Sequence, residues 1–240
     1  MILRRLATSI RKQDWFAVVI ETLIVVMGVY LGIQLGNWNA ERAERVAGRA
    51  LVERLYEELT ISLEYEADCI EGMEANLERV RSVYEMLRTK QLGEGGEAEF
   101  RNKFVGFGSW ADICIIRSTL DQLQGGQIVL LDDQTLQDQI LQFANFLDGN
   151  ETSVANLGSA TMSALQVIFA EVDYAWDEGE RRLVTSFDEA AANETLVRQL
   201  ETVTFMFATI VRYHNMFDEE LHDMHAVLAE YLGEDLEAET

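Results

Sequence analysis

The hydrophobic pattern begins with an apolar run over 16–36 that contains a single charged residue, Glu21. About 20 apolar residues, at about 1.5 Å of helix rise each, cross the ~30 Å hydrocarbon core of a bilayer. Trp15 and Trp38 flank the run, and aromatic side chains are enriched at the two membrane interfaces. The pattern therefore predicts a transmembrane helix over 15–38, with both tryptophans as interface anchors.

After this run, apolar and small residues recur at steps of three and four, which is the spacing of helices that bury one face. The first such stretch continues from Asn39 without a helix breaker until a glycine-rich loop, so the helix is expected to end near Lys90. In its middle, the inward position after Ser62 is filled by Glu66 or Cys69.

The last stretch, from Leu196 to Tyr231, alternates steps of four and three throughout. This pattern predicts the core seam of a helical bundle. His214 falls in the seam, where we expect it to be buried and hydrogen-bonded to an acid or a tyrosine of a facing helix.

Between these two long helices the pattern predicts shorter elements. They are an aromatic-faced helix with Phe100, Phe104 and Phe107, a helix over 113–123 with Ser118 and Asp121 as a capping pair, an extended piece within 125–133 with Asp132 or Asp133 as the next N-cap, a helix that stops at 148–150, a helix over 151–176, and a loop over 177–182.

The chain of 240 residues contains no proline, which favours long uninterrupted helices. We therefore predict an all-α fold, in which one N-terminal transmembrane helix continues into a long helix and an antiparallel helical-bundle domain follows. The expected organisation is a cytoplasmic basic head over 1–14, the transmembrane helix over 15–38, a stalk or bundle helix over 39–92, and the remaining helices of the same soluble domain over 93–240.

The charge is distributed unevenly along the chain. The formal net charge is −23, but residues 1–40 carry +2 and the remainder carries −25. Lys and Arg are enriched on the cytoplasmic side of membrane helices, so the basic head favours a bacterial inner-membrane protein with a cytoplasmic N-terminus and a periplasmic acidic domain. Four arginines just after the apolar run favour the reverse orientation: Arg42, Arg45, Arg49 and Arg54. The acidity argues against nucleic acid as a partner. A cleavable signal peptide is not expected, because the run is too long and no small-residue cleavage site follows it.

One side of the predicted membrane helix combines small and polar residues. A glycine at every fourth position lets two helix backbones approach closely in lipid, and a carboxylate in hydrocarbon needs a polar partner. This favours packing against a second copy of the chain or another membrane protein. Alternatively, the glutamate reaches the headgroups and the glycines are incidental. The stripe comprises Glu21, Val25, Gly28, Gly32, Gly36 and Asn39.

Cys69 and Cys114 are the only two cysteines. In an oxidising periplasm they could form a disulfide that braces the first long helix. Two cysteines without a CxxC motif form no disulfide framework, so the sequence favours two buried free thiols instead.

Asp218, Glu219, His222 and His225 lie within about two turns of the last helix, a spacing that can place metal ligands on one face. We expect structural or solvated roles for them, because a di-iron bundle needs the same motif on a second helix. No nucleotide, phosphate-loop or hydrolase motif is present, so neither an enzyme nor a cofactor is predicted. The glutamates of the first long helix are expected to form a solvated face: Glu53, Glu57, Glu58, Glu64, Glu66, Glu71, Glu74 and Glu78.

Two stretches of the chain have a distinctive sequence. The first consists of Arg4, Arg5, the apolar residues around Glu21 and QLGNWN over 34–39, and the second is STLDQLQGGQIVLLDDQTL over 118–136. Together they resemble an uncharacterised family of bacterial single-pass membrane proteins with a basic head, a glutamate-containing apolar helix and an NNWN-like end. The resemblance implies a membrane anchor and a helical domain, and it implies no activity or catalytic residues.

These observations lead to one main hypothesis, a membrane-anchored helical scaffold or accessory subunit that acts through helix–helix association in the bilayer. The alternative is a periplasmic ligand-sensing bundle that signals through a partner. Lesser alternatives are Glu21-dependent conduction of ions or protons, and metal binding.

Overall fold

The computed structural model describes the backbone of residues 15–106, 108, 114–177 and 179–233, with the side chains of residues 15–18 and 21 left out. The described residues are mostly helical, which confirms the predicted class. The elements are α1 (Trp15–Thr89), α2 (Gly96–Gly106), α3 (Ser118–Gln124), a 3-10 turn (Gln127–Leu130), α4 (Gln134–Ala170), β1 (Tyr174–Asp177), β2 (Glu180–Leu183), α5 (Phe187–Ala192) and α6 (Glu194–Leu232).

The two longest predicted helices are confirmed. α1 ends at Thr89, one residue before the expected limit. In α6 every position of the predicted seam is buried except Tyr231. The Asn193 side chain accepts a hydrogen bond from the amide of Leu196 at the start of α6, and Gly233 ends the helix with φ 76°. A side-chain N-cap and a left-handed glycine at the end are common boundaries of helices.

The predicted break at 148–150 is wrong, because α4 passes through it without interruption. Gly149 is exposed and a Cβ built on it would meet nothing within 4 Å. Leu147 and Val154, on either side of it, are buried in the core. A glycine inside a helix costs about 1 kcal/mol relative to alanine. The free energy gained by burying Leu147 and Val154 on either side outweighs this cost, so the helix continues.

The predicted loop over 177–182 is also wrong. β1 and β2 form an antiparallel hairpin in which Trp176 pairs with Arg181. Trp176 was expected at the inward end of a helix over 151–176, but it lies on a strand and is 74% exposed. Gly179, in the turn, has φ 90°, a conformation that glycine adopts readily.

The region around α3 differs from the prediction in its capping. The side chain of Arg117, the N-cap residue of α3, makes no capping hydrogen bond. Glu58 of α1 instead accepts a hydrogen bond from the amide of Thr119 at 2.8 Å. The expected extended piece is a 3-10 turn. The predicted cap Asp133 is confirmed, since its carboxylate accepts from the amides of Thr135 and Leu136. The expected helix positions Phe107 and Ile113 lie outside the described residues.

The chain divides into two compact units, one with the residues up to Ala50 together with Leu130–Asp132, and the other with Leu51–Val129 and the residues from Asp133 onward. In the second unit, α1, α2, α4, α5 and α6 contribute to one hydrophobic core. Its largest side chains with no exposed surface include Phe100 and Phe207.

Within the first unit, α1 contacts the chain at Leu130 through Gly48. A Cβ built on Gly48 would lie 2.2 Å from the carbonyl oxygen and 2.9 Å from the carbonyl carbon of Leu130. Both atoms belong to the backbone, so no side-chain rotation relieves the overlap. Gly48 is therefore required for this contact.

The Gly48→Ala substitution is expected to destabilise the protein by about 1–3 kcal/mol, as overpacking does in tightly packed sites. Gly72→Ala is the matched control, because Gly72 lies in the same helix and its added Cβ would meet nothing within 4 Å. The control is expected to raise stability by up to ~1 kcal/mol through helix propensity. Thermal unfolding of the two variants by circular dichroism makes the comparison, and equal stabilisation by both would contradict the Gly48 contact.

Candidate functional site

The apolar segment of α1, which comprises residues 19–38, is exposed around its whole circumference in the described chain. Its large apolar side chains range from 39% to 65% exposed, including Trp38 at 53%. Soluble proteins rarely expose a continuous apolar surface of this size, which is typical of a helix covered by lipid or another protein. The side chains of Trp15 and Glu21, the other predicted anchor and the acidic stripe residue, lie outside the described set.

The predicted stripe of small residues is open on this segment. Cβ atoms built on Gly28, Gly32 and Gly36 would meet no atom within 4 Å. Val25 and Asn39 are exposed. The stripe therefore presents helix backbone that no described part of the chain covers.

Among the residues that the structure describes, two helices, α1 and α4, are long and apolar enough to cross a membrane. None of the apolar window of α1 is buried, whereas 33% of that of α4 is buried. On α4, Phe146 packs edge-to-face against Phe217 of α6, with ring centroids 5.9 Å apart. Part of the apolar surface of α4 is therefore covered by α6. Of the two helices found among the described residues, only α1 has an apolar window with no buried part.

A polar cluster lies on one face of α1 in the second unit, formed by Glu58, Ser62 and Glu66. These residues are spaced four apart, so their side chains lie in a row along the helix. Each one accepts a hydrogen bond from a backbone amide of the segment 114–119. Ser62 Oγ accepts from Ile116 at 2.9 Å and donates to the Glu58 carbonyl at 2.7 Å.

The two glutamates of the polar cluster each use both carboxylate oxygens. Glu58 Oε2 accepts from the Thr119 amide, and its Oε1 accepts from the Ser118 and Thr119 hydroxyls. Glu66 Oε2 accepts from the Cys114 amide at 3.2 Å. The row of acceptors on α1 thereby holds the irregular residues 114–117 and the first turn of α3.

Glu66 also pairs with His214 of α6. Its Oε1 lies 2.5 Å from His214 Nδ1, and both side chains have no exposed surface. Among the described residues, His214 Nε2 is buried without a hydrogen-bond partner. The sequence-based expectation that His214 is buried and bonded to an acid of a facing helix is confirmed.

Cys69 and Cys114 form a disulfide, with sulfurs 1.97 Å and Cα atoms 6.8 Å apart. The favoured expectation of two free thiols is therefore wrong, and the alternative is correct. Cys69 lies three residues after Glu66, while Cys114 is the residue whose amide bonds Glu66. The covalent link is thus at one end of the polar cluster.

The four residues considered as alternative metal ligands do not converge on one point, although His222 Nδ1 lies 3.6 Å from Asp218 Oδ2. His222 is exposed, and its Nδ1 bonds the carbonyl oxygen of Asp218. His225 instead faces α1, where it stacks on Tyr56 and its Nε2 lies 2.9 Å from Thr60 Oγ1. In the part of the chain that the structure describes, no group of three His, Cys, Asp or Glu side chains forms a metal-binding cluster.

Two of the glutamates predicted on a solvated face of α1 are misassigned. Glu66 has no exposed surface and Glu58 is half-buried. Both are covered because the segment 114–119 lies over this face. The sequence signal for Glu66 was its place at an inward position of α1, four residues after Ser62. The remaining six are exposed: Glu53, Glu57, Glu64, Glu71, Glu74 and Glu78.

Asp148 and Tyr174 are among the described groups of the second unit whose pKa values are shifted. Hydrogen bonds from Arg117 and Gln124 lower the pKa of the Asp148 carboxyl. Burial raises the pKa of Tyr174 to about 12, against the opposing charge of Arg181, whose guanidinium lies 4.7 Å from the tyrosine ring centroid. Both groups support packing and do not converge on a pocket.

Comparison with protein-family models, curated proteins and solved structures found no match for this chain. The resemblance seen in the two sequence stretches therefore has no support from a family model. The features of the described chain that bear on function are the apolar segment and the polar cluster.

Proposed function

We propose that the chain is a non-enzymatic, membrane-anchored helical protein that works as a scaffold or accessory subunit through helix–helix association in the bilayer. The observation that carries the proposal is the exposure of the apolar segment of α1 on all sides. Covering apolar surface is favourable by roughly 25 cal/mol per Å². The segment has the length and composition that lipid would cover.

The second unit is proposed as an antiparallel helical bundle in the periplasm, with the residues before Trp15 in the cytoplasm. The contribution of α1, α4 and α6 to one core supports the bundle. The Cys69–Cys114 disulfide supports an oxidising compartment, since disulfides persist there and are rare in the cytosol. The basic residues near the start of the chain support the orientation.

Association is assigned to the stripe of Gly28, Gly32 and Gly36. Lipid tails are as apolar as leucine side chains, so helices in a bilayer associate through close packing and polar contacts rather than through hydrophobic burial. The open space over these glycines allows a second backbone to approach. The partner is a second copy of the chain or the membrane helix of another protein.

The double variant Gly28→Ile and Gly32→Ile is expected to reduce crosslinking of the chain in native membranes by at least about tenfold, because two bulky side chains keep the backbones apart. The matched control is Val26→Leu with Tyr30→Trp, which adds volume on the opposite face and should leave crosslinking unchanged. Crosslinking that survives the glycine changes would contradict the proposed interface.

Membrane insertion is measured separately in the same preparations. The full chain is expected to stay with the membranes after alkaline carbonate extraction, and so are both double variants. A chain lacking residues 15–38 is expected in the soluble fraction. Extraction of the full chain by carbonate would contradict the membrane anchor, whatever the crosslinking result.

A further inference from the structure

We propose that the Cys69–Cys114 disulfide is a redox-sensitive latch, which a dithiol reductant opens to release the segment 114–119 from α1. The proposal concerns only the second unit and does not depend on the membrane anchor. It follows from where the disulfide lies, from what else holds the segment, and from what the segment covers.

The disulfide lies at the edge of the core. Cys69 and Cys114 are both half-buried, whereas Glu66, one turn from Cys69, has no exposed surface. Cys69 is held in the middle of a long helix, and Cys114 lies in irregular chain before α3. Because both cysteines are only half-buried, a small reductant can reach the disulfide without unfolding a helix.

The other bonds that hold the segment are polar. The Ser118 and Thr119 hydroxyls donate to Glu58 of α1, and Arg117 pairs with Asp148 and Glu151 of α4. Three backbone amides, of Cys114, Ile116 and Thr119, donate to side chains of the polar cluster. Individual hydrogen bonds contribute only about 0.5–1.5 kcal/mol net, and up to ~3 kcal/mol when one partner is charged. Each of these polar groups can bond water instead, whereas the disulfide is a covalent link that water cannot replace.

The segment covers the buried pair of Glu66 and His214. The Cys114 amide and the His214 ring occupy the two oxygens of the same carboxylate. When Cys114 moves away, Glu66 Oε2 loses its donor and water gains access to the carboxylate. Opening of the latch is thereby transmitted to α6 through His214.

The chemical step is thiol–disulfide exchange. A thiolate of the reductant attacks one sulfur, the protein S–S bond breaks, and the released cysteine thiolate takes up a proton. The second thiol of the reductant then displaces the remaining cysteine and forms the reductant's own disulfide. Two electrons pass from the dithiol to the protein, which ends with two thiols.

The test is amide hydrogen exchange of the full chain in mild detergent, before and after reduction with dithiothreitol and alkylation of the thiols. We expect exchange over 114–119 to become at least about tenfold faster, with a smaller increase around His214, because local opening replaces a covalent link. Exchange over 196–207 of α6, in the same core, should change by less than about twofold.

Three results would overturn the latch. The first is unchanged exchange over 114–119 after reduction. The second is equal acceleration over 196–207, which would make the disulfide a general support of the fold. The third concerns a sample that is reduced but not alkylated and is then reoxidised with oxidised glutathione. If its exchange over 114–119 does not return to the original rate, the proposal fails.

Two variants support the same measurement. Cys69→Ser with Cys114→Ser is expected to reproduce the reduced pattern without any reagent. Ser62→Ala keeps the disulfide and removes one acceptor, so it should accelerate exchange at Ile116 and leave the Cys114 amide protected. Protection of 114–119 in the double-serine variant equal to that of the oxidised wild type would also overturn the proposal.

Discussion

Replacing His214 with alanine is expected to lower the free energy of unfolding by about 3–5 kcal/mol, the range observed when one partner of a buried pair is removed. The substitution deletes the group that lies 2.5 Å from Glu66 Oε1 and leaves that carboxylate oxygen without a partner in a site with no exposed surface. It also opens a cavity beside Phe217, whose ring centroid lies 5.9 Å from that of the imidazole. Chemical denaturation in detergent, followed by circular dichroism, measures the change.

The control for this substitution is His222→Ala, on the same helix. His222 is exposed, so its removal should change stability by no more than about 0.5 kcal/mol. The double variant Glu66→Leu with His214→Leu removes both members of the buried pair. It is expected to recover much of the loss, because neither charged group remains buried without the other. A double variant no more stable than His214→Ala would contradict the assignment of the loss to the unpaired carboxylate.

Phe100→Ala is expected to cost about 3–5 kcal/mol, as truncation of a fully buried aromatic side chain does. Phe100 of α2 has no exposed surface, and its ring lies edge-on to Phe104 and to Phe187 of α5, with centroids 5.7 and 5.3 Å away. The loss therefore combines a cavity with two aromatic contacts worth about 0.5–1.5 kcal/mol each. Denaturant unfolding of the variant gives the value.

Phe205→Ala provides the comparison for the same chemical change at the surface. Phe205 lies on α6 and is 71% exposed, so its truncation should stay within about 0.5 kcal/mol of the wild type. Similar losses in the two variants would mean that Phe100 does not lie in the core.

The long helices were predictable because their signals are local and repeated. The seam of α6 recurs from Leu196 to Leu228 with every position buried, and no proline interrupts α1. A periodic pattern of this length requires only that one side of the helix be covered, whatever covers it. The same holds for the apolar segment, whose length and composition follow from the sequence alone.

The shorter elements were less predictable because their preferences are weak compared with packing. Gly149 and its neighbours resemble a helix end, yet α4 continues because buried residues flank them on both sides. Residues 177–182 have no strand pattern, and the hairpin depends on pairing such as that of Trp176 with Arg181. Gly48 had no signal at all, since its role depends on the approach of the distant residue Leu130.

For the candidate site, the pattern placed Ser62, followed by Glu66 or Cys69, at inward positions of α1, and it placed His214 in the seam of α6. It also counted Glu66 among the solvated glutamates. A charged residue at a seam position is ambiguous until its partner is known, because burial without a partner is expensive. The partner, His214, lies 148 residues away, and the pairing of Cys69 with Cys114 across 45 residues decides the state of the thiols.

By itself, the sequence of this protein determined the class of its fold, the two longest helices, the apolar segment with its glycine stripe, and the uneven charge. These properties arise from residues near one another in the chain. Only the tertiary structure decided that α4 is continuous, that a hairpin follows it, and that Glu58, Ser62 and Glu66 receive the amides of a distant segment. Those outcomes depend on free energies of contact between remote residues, and such contacts exist only once the chain has folded.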